Sequence, residues 1–214
     1  MQKAVGDVTV RLLDLSTESD ALIATLGAAF LDDPVVRHTF QKTSGMDDPE
    51  TALRSTGLIF FHLADLAAAF GAVYTLSDHS CMAFWRPPGK AAIPWYNYVQ
   101  KAPALLRVVG FSGTFHMMAT YEGMEQRHAL VAEPHWYLQT IGTLPSMQGK
   151  GRAKQMMAHH LKIVDEQNLP AYLEATKEAN VPFYEKFGFK LLPDGILKIP
   201  DGPNVWLMWR EKQS

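Results

Sequence analysis

The sequence predicts an α/β domain in which a mixed central sheet is flanked by helices on both faces. The first observation is composition: 214 residues, of which 47% are hydrophobic and 20% charged, suit one globular domain. The second is that short apolar runs of strand type alternate with segments of helical periodicity. The predicted order is β-α-α-β-β-(α)-β-α-β-α-β-β, and we expect residues 1–214 to form a single domain.

The first third of the chain predicts a strand followed by two helices. Residues 8–13 alternate loosely between apolar and polar types, which is typical of a strand. Thr17 and Asp20 have the spacing of a capping box and predict the start of a helix that ends near residues 32–34. A second helix is predicted over residues 50–70, where a glycine follows its last turn.

The remaining elements are bounded by turn residues. A short helix near the C-terminus should be capped by Asn180 and ended by Gly188. The other predicted boundaries are strands 72–76, 80–85, 136–144, 171–175, 189–192 and 205–209, with helices 152–167 and 181–187.

Residues 91–133, here called the insertion, are rich in aromatic residues and methionines, among them Trp95, Tyr98 and Met118. The insertion is too apolar for a linker and too long for a bare loop. We interpret it as one or two helices that cover an acceptor pocket, with a plain helical extension of the core as the alternative.

Composition also limits the classes of partner and compartment. A formal net charge of −2 gives no reason to expect nucleic acid or an anionic membrane as a partner. The single cysteine, Cys81, excludes an intrachain disulfide, and its strand-like flanks favour a buried structural thiol over a nucleophile. No signal peptide and no apolar run of ~20 residues is evident, so we expect a soluble, cytoplasmic protein. His159 and His160 are adjacent on a helix and point ~100° apart, so no metal site is expected.

The run Gln148-Gly149-Lys150-Gly151-Arg152-Ala153, here called the glycine loop, is the most informative motif. It lies between a predicted strand and a predicted helix. Such a turn exposes backbone N–H groups at the positive end of the helix, which suits a pyrophosphate. Taken alone, a short glycine-containing turn is a weak signal.

The motifs around this loop resemble the GNAT superfamily of N-acetyltransferases. The glycine loop fits the family signature of Gln or Arg, two variable residues, Gly, one variable residue, then Gly or Ala. Residues 137–145 fit the strand before it, and residues 173–176, Asn180, 183–186 and 188–189 fit the second half of the family. The sequences of residues 135–138 and 173–176 are most similar to those of puromycin-type acetyltransferases.

This resemblance implies a binding site for acetyl-coenzyme A where strands 137–143 and 171–175 separate. Backbone groups of Ile141, Gly142 and Thr143 would pair with the pantetheine arm as an added strand does. N–H groups of residues 149–154 would hold the pyrophosphate after Gln148. The basic residues Lys150, Arg152 and Lys154 would assist, or would only be solvated. Asn180 would cap its helix and would also, or would not, bond the pantetheine.

The resemblance also implies an acid and a base for acetyl transfer. Tyr184, four residues after Asn180, would protonate the leaving sulfur, whereas the alternative for it is a core aromatic. Glu174 is the candidate base, with a structural hydrogen bond as its alternative. His135 as a proton relay and Glu125, with its neighbour Glu122, as recognition groups for a cationic amine remain open.

The function that follows is transfer of acetyl from acetyl-CoA to a primary amine of a small molecule, directly within a ternary complex and without a metal. A protein lysine or N-terminal acetyltransferase and a non-catalytic coenzyme A-binding module are the alternatives. The acceptor, the acyl-chain preference and the choice between monomer and homodimer stay open at this point.

Overall fold

A computed structural model describes residues 8–41, 43–90 and 95–213. Residues 91–94 of the insertion and the side chains of Trp95 and Tyr98 lie outside the described part. The strands are β1 Val10–Leu12, β2 Ala72–Leu76, β3 Cys81–Arg86, β4 Trp136–Thr143, β5 Ala171–Ala175, β6 Lys190–Lys198 and β7 Asn204–Arg210. The helices are α1 Ser19–Phe30, α2 Pro34–Phe40, α3 Pro49–Phe70, α4 Trp95–His128, α5 Arg152–Glu166 and α6 Val181–Glu185.

The seven strands form one mixed sheet in the order β1-β2-β3-β4-β5-β7-β6. All neighbours pair antiparallel except β4 and β5, which are parallel because α5 carries the chain back between them. The predicted fold class is therefore confirmed, including the mixed character of the sheet.

Helices cover both faces of the sheet. On one face, α5 buries Met156, Met157 and Val164 against β3, β4 and β5, and α6 adds Tyr184. On the other face, α1, α3 and α4 pack on the alternate residues of β2 and β3. Cys81 is buried on β3, as expected, and burial raises the pKa of its thiol to about 11. The thiolate form is disfavoured there, which agrees with a structural thiol.

The described residues between β1 and β2 form three helices, not the predicted two. The predicted capping box is absent, because α1 begins after Glu18 with no side-chain cap and the Glu18 carboxylate instead binds Arg11 and His79. The additional helix is α2. Asp33 accepts hydrogen bonds from the first amides of α2 and Pro34 occupies its first turn, so Asp33-Pro34 starts a helix where an end was predicted.

Helix α3 has 22 residues and, by length and composition alone, is apolar enough to cross a membrane. This differs from the expectation that no run approaches that length. Its contacts are those of a core helix: Ile59, Phe60 and Ala64 are buried against α1 and the sheet.

Two glycines allow α1 and α3 to cross in close contact. A Cβ atom on Gly57 of α3 would lie 2.2 Å from the backbone oxygen of Ile23, and one on Gly27 of α1 would lie 2.5 Å from that of Leu53. Both obstacles are backbone atoms, which cannot move as a flexible side chain can. The position of α1 over the sheet therefore depends on this contact.

We predict that Gly57→Ala destabilises the protein although alanine favours helix. Forcing the helices apart should cost roughly 1–3 kcal/mol, more than the gain in helix propensity. Gly123→Ala in α4 is the matched control, because a Cβ atom there meets nothing within 4 Å; it should stabilise by roughly 0.5–1 kcal/mol. Denaturant unfolding of both variants measures the difference, and equal effects would contradict the proposed crossing.

Candidate active site

The parallel strands β4 and β5 separate partway along their length. Their pairing ends at Leu138 and Leu173, although β4 continues to Thr143 alongside β3. The separation coincides with a β-bulge: Phe84 pairs with Thr140 and Trp85 with Leu138, which leaves Gln139 as an extra residue. Within the described residues, the β5-facing edge of β4 beyond Leu138 therefore has no strand partner.

Residues Ile141, Gly142 and Thr143 lie on this unpaired stretch of β4. Helix α1 packs directly on Gly142, where a Cβ atom would approach Leu26 Cδ2 to 2.7 Å and Phe30 Cε2 to 2.8 Å. A glycine here lets α1 approach the strand without blocking its free edge. The backbone of all three residues is thus fixed from one face while one edge stays open to an extended ligand.

The glycine loop follows the end of β4 and leads into α5. Gly149 and Gly151 both adopt positive φ, +72° and +76°, and a Cβ atom on either would meet nothing within 4 Å. The first helical bond is donated by Gln155 N to Gly151 O, and no side chain caps the helix. The amides of Arg152, Ala153 and Lys154 therefore point out of the helix without intrahelical partners, as an anion site requires.

The side chains of the loop have different surroundings. Gln148 Nε2 donates to Thr143 O at 3.3 Å and closes the loop onto β4. Arg152 pairs with Asp78 of the β2–β3 turn at 2.9 Å, so its guanidinium is already engaged by a carboxylate. Lys150 and Lys154 are exposed at the same end of α5. The two lysines, more than Arg152, supply positive charge beside the free amides.

Asn180 does not cap α6 with its side chain, which corrects the prediction. A 3₁₀ turn over Glu178–Asn180 runs directly into the helix, and Asn180 has φ −88° and ψ −15°. A capping side chain needs an extended backbone at that position. The Asn180 side chain is exposed.

Glu174 lies on β5, one residue past the last pairing with β4. Its Oε2 accepts a hydrogen bond from Tyr137 at 2.8 Å and its Oε1 accepts one from Tyr172 at 3.0 Å. Burial and the nearby Glu125 raise the pKa of Glu174 to about 7, against the opposing effects of the two hydroxyls and of Arg86. A carboxyl group with this pKa can both take up and release a proton near neutral pH.

Arg86 and Glu125 complete this group, and the five residues Glu174, Tyr137, Tyr172, Arg86 and Glu125 are called the Glu174 cluster. The Arg86 side chain is only 1% exposed; its Nη2 lies 3.9 Å from Glu125 Oε1, and its Cζ lies 4.7 Å from the centroid of the Tyr137 ring. Glu125 reaches in from α4 and is 42% exposed. Burial raises the pKa of Glu125, and Arg86 opposes the rise. The cluster is therefore closed around Arg86 and open at Glu125.

His135 and His128 form a buried pair behind Tyr172. Their Nε2 atoms are 2.8 Å apart, and His135 Nδ1 lies 2.6 Å from the Glu133 carbonyl. A carbonyl only accepts, so His135 carries its proton on Nδ1 and His128 donates from Nε2. Burial lowers the pKa of both rings, that of His128 to about 3, so the pair is neutral at physiological pH. The His128 ring stacks on Tyr172, with centroids 4.5 Å apart.

Tyr184 of α6 is buried on the other face of β5. Its ring packs edge-on against Phe183 and Phe189, and its hydroxyl makes no hydrogen bond among the described residues. Burial raises its pKa, and the charge of Asp33 raises it further. The phenol is therefore held protonated and has its proton available for donation.

The two predicted catalytic residues are not in contact. Tyr184 packs with the α5 face of the sheet, whereas Glu174 is held by tyrosines on the α4 face. Both lie beside the part of the sheet where β4 and β5 are no longer paired. An extended ligand along β4 would thus have a proton donor on one side and a proton acceptor on the other.

Sequence reasoning missed several of these partners. Tyr137 and Tyr172 are opposite each other in the parallel register, and Tyr172 and Glu174 share a face at i and i+2. That alternation was a readable signal. Arg86 had none, because it lies one residue beyond the predicted strand 80–85 and directly precedes Pro87-Pro88-Gly89. Asp33 binds Thr176 after β5 and so ties α2 to the site.

The insertion forms a helix that is interrupted at Gly110, where φ is +68° and ψ is 179°. Its second half turns Tyr121, Met124 and Glu125 toward β4 and β5, where Met124 packs with Tyr137 and Tyr172. Met118, predicted to line the acceptor pocket, is 61% exposed. The part of the insertion nearest to Glu174 is therefore the last three turns of α4.

Residues 70–189 match the sequence profile of the Acetyltransferase (GNAT) family. An uncharacterized N-acetyltransferase of Schizosaccharomyces pombe is 26% identical over 172 residues, which cover 78% of this chain and 68% of that protein. The matched profile spans β4, the glycine loop, β5 and α6.

Solved structures show the same fold over nearly the whole chain. One is a Corynebacterium glutamicum structure described as histone acetyltransferase HPA2 and related acetyltransferase, with 23% identity, 97% of each chain covered and a TM-score of 0.65. Another is the polyamine N-acetyltransferase of Drosophila melanogaster, which forms N-acetylagmatine; it has 13% identity, covers 96% of this chain and 100% of its own, and has a TM-score of 0.55.

Proposed function

Since the chain belongs to the GNAT family of acetyltransferases, we propose that it transfers acetyl from acetyl-coenzyme A to a primary amine of a small molecule, directly within a ternary complex. The observation that carries the proposal is that Glu174 lies on β5 one residue past its last pairing with β4, and that the glycine loop follows the unpaired stretch of β4. Ligands of α/β sheets bind outside the carboxyl ends of such strands.

The residues at this break fit the co-substrate. A pyrophosphate fits the glycine loop, because the space around Gly149 and Gly151 is open and the amides of residues 152–154 are free. The unpaired edge of residues 141–143 suits the amide groups of the pantetheine arm. Acetyl-coenzyme A, when bound, supplies the thioester whose acetyl group is transferred. Asn180 remains a candidate to bond the pantetheine arm, because its polar side chain is exposed.

The protein's own groups would handle the two protons of the reaction. Glu174, with a pKa of about 7, accepts a proton from the ammonium of the acceptor, directly or through water, because each of its oxygens keeps a free lone pair. Tyr184 donates its phenolic proton to the sulfur as the thiol leaves. A phenol whose pKa is raised by burial is a weaker acid, yet a thiolate shielded from water is a correspondingly stronger base.

The charge around Glu174 favours a cationic acceptor. Burial and the charge of the nearby Glu125 raise the pKa of Glu174, and an ammonium between the two carboxylates would offset both effects. The polyamine substrate of the Drosophila enzyme agrees with this chemistry. Within the family we propose the puromycin-type branch, because residues 135–138 and 173–176 resemble it. A protein lysine as acceptor is the alternative.

An acceptor screen tests the proposed function. Thiol release from acetyl-coenzyme A should be followed over polyamines, arylalkylamines, puromycin, lysine peptides and peptides with free N-termini, with products identified by mass spectrometry. We expect turnover with at least one small primary amine and intersecting initial-velocity lines. Turnover with peptides alone would support a protein acetyltransferase, and binding of coenzyme A without any thiol release would indicate a non-catalytic module.

The glycine loop should lose affinity for coenzyme A when negative charge enters it. Asp and Asn both tolerate positive φ, so Gly151→Asp and Gly151→Asn differ mainly in charge. We expect the Asp variant to bind coenzyme A on the order of tenfold more weakly than the Asn variant in calorimetry, because its carboxylate competes for the free amides. Equal dissociation constants for the two variants would show that the phosphates bind elsewhere.

Tyr184→Phe tests the proton donor while ring packing is kept. A positioned general acid contributes ~10²–10⁴-fold to rate, so the single-turnover rate should fall by at least ~10² while coenzyme A affinity stays nearly unchanged. Single-turnover measurement is needed because product release can mask the chemical step. An unchanged rate would mean that water or another group protonates the sulfur.

A further inference from the structure

Arg86 is the least satisfied side chain of the Glu174 cluster. It is 1% exposed, and neither Nε nor Nη1 has a hydrogen-bond partner among the described residues. The separation of 3.9 Å from Glu125 is too long for a hydrogen bond. Burial of a guanidinium with so few partners costs more free energy than a well-packed apolar side chain would. A contribution to stability therefore does not explain the buried charge of Arg86, which indicates another role.

The contacts of Arg86 lead to the proposed base. Its guanidinium carbon lies over the face of the Tyr137 ring at 4.7 Å from the centroid, and the hydroxyl of the same ring donates to Glu174 Oε2 at 2.8 Å. The ring is thus held from its face by a cation while its edge holds the carboxylate. Arg86 also brings a positive charge into a region that otherwise contains two carboxyl groups.

We propose that Arg86 is a positioning residue for acetyl transfer: by holding the ring of Tyr137, and by its charge, it favours the ionised form of Glu174 and orients it toward the acceptor. This inference rests on the proposed function and goes beyond it, because Arg86 touches neither substrate nor co-substrate. It explains why a charge is buried at the end of β3 with unpaired donors.

Glu174 is the group of this region that we expect to change charge near neutral pH, and burial also raises the pKa of its neighbour Glu125. The tyrosines stay protonated because burial raises their pKa values, and the histidine pair stays neutral because burial lowers theirs. Several groups lie around Glu174 and its tyrosines: Arg86 from β3, Glu125, Arg127 and His128 from α4, His135 just before β4, Tyr137 on β4 and Tyr172 on β5. Apolar Leu207 lies opposite Glu174 on β7.

The first test is the acidic limb of the pH profile of kcat/KM for the amine found in the acceptor screen. A raised carboxyl pKa means that the base form is lost as pH falls through about 7. Without the arginine charge the pKa of Glu174 should rise further. Arg86→Met should therefore move the acidic limb to higher pH, by on the order of one pH unit. Activity at pH 7 should then fall about fivefold while the plateau at high pH falls less.

Further variants separate the parts played by charge and ring. Arg86→Lys keeps the charge but loses the flat contact with Tyr137, so its limb should shift less than that of Arg86→Met. Tyr137→Phe should also shift the limb upward. If Arg86 acts through Tyr137, the double variant Arg86→Met with Tyr137→Phe should shift less than the sum of the single variants.

Arg210→Met is the matched control. Arg210 is also buried, at 6% exposure, but it is fully engaged by Asp165 and by the Phe187 carbonyl. Its loss should lower the melting temperature and leave the limb in place. Arg86→Met should leave the melting temperature unchanged or raise it. A limb that stays in place in Arg86→Met overturns the proposal, as does a shift of equal size in Arg210→Met.

A direct measurement keeps this inference separate from the proposed function. Titration of carboxyl carbons in protein labelled with ¹³C-glutamate, assigned with Glu174→Gln and Glu125→Gln, gives the pKa of Glu174 without any substrate. A higher pKa in Arg86→Met supports the role of Arg86 even if the acceptor screen finds no amine. An unchanged pKa overturns that role even if the screen identifies the enzyme's acceptor.

Discussion

The parallel pairing of β4 and β5 ends at Leu138 and Leu173, and the site depends on that interruption. A strand pair that continued would satisfy the backbone of residues 139–143 internally and would bury Glu174 between neighbours. The extra residue Gln139 bends β4 away at the same place, because a bulge increases local twist and ends regular pairing. The interruption thus leaves an open backbone edge on β4 beside the half-buried carboxylate of Glu174. The helices serve to hold this opening in shape.

Holding a gap open inside a core is costly, and the structure concentrates the cost in a few places. Close contact of α1 with Gly142 and with α3 at Gly27 and Gly57 stiffens β4 from one face. On the same face, polar side chains that burial would otherwise exclude are accepted next to the gap. Arg86, the neutral pair His128 and His135, and Glu174 with its raised pKa all lie there. Perturbed titratable groups in one place are more typical of a catalytic site than of a stabilised core.

The sequence was sufficient for those parts of the molecule that depend on local periodicity and turn chemistry. Strands β2 and β5 were predicted with their observed bounds, and α3 and α5 to within one residue at each end, because apolar period and glycine stops agree there. Helix α2 was missed because an Asp-Pro pair can follow the end of one helix and can also start the next, and only the first was predicted for Asp33-Pro34. The Asn180 cap was wrong because a 3₁₀ turn, invisible to composition, precedes it. Arg86 could not be found, since its partners are 39 and 51 residues away in sequence (Glu125 and Tyr137).

The position of Tyr184 and Glu174 on opposite faces of the sheet has a consequence for the proposed reaction. A base and an acid in contact would exchange their proton and neutralise each other's function, whereas these two can differ in protonation state independently. Burial raises both pKa values, but with opposite usefulness: it keeps the phenol protonated as a donor, and it brings the carboxylate to about 7, where it can accept. The same desolvation therefore prepares an acid and a base together. Each turnover would take a proton up on the α4 face and deliver one on the α5 face. Both groups must then be reset through solvent or through the departing product. Glu174 can do this beside the exposed Glu125. Tyr184 is buried, and its hydroxyl has no hydrogen-bond partner in the described part of the chain, so it would regain its proton while the site is open after product release.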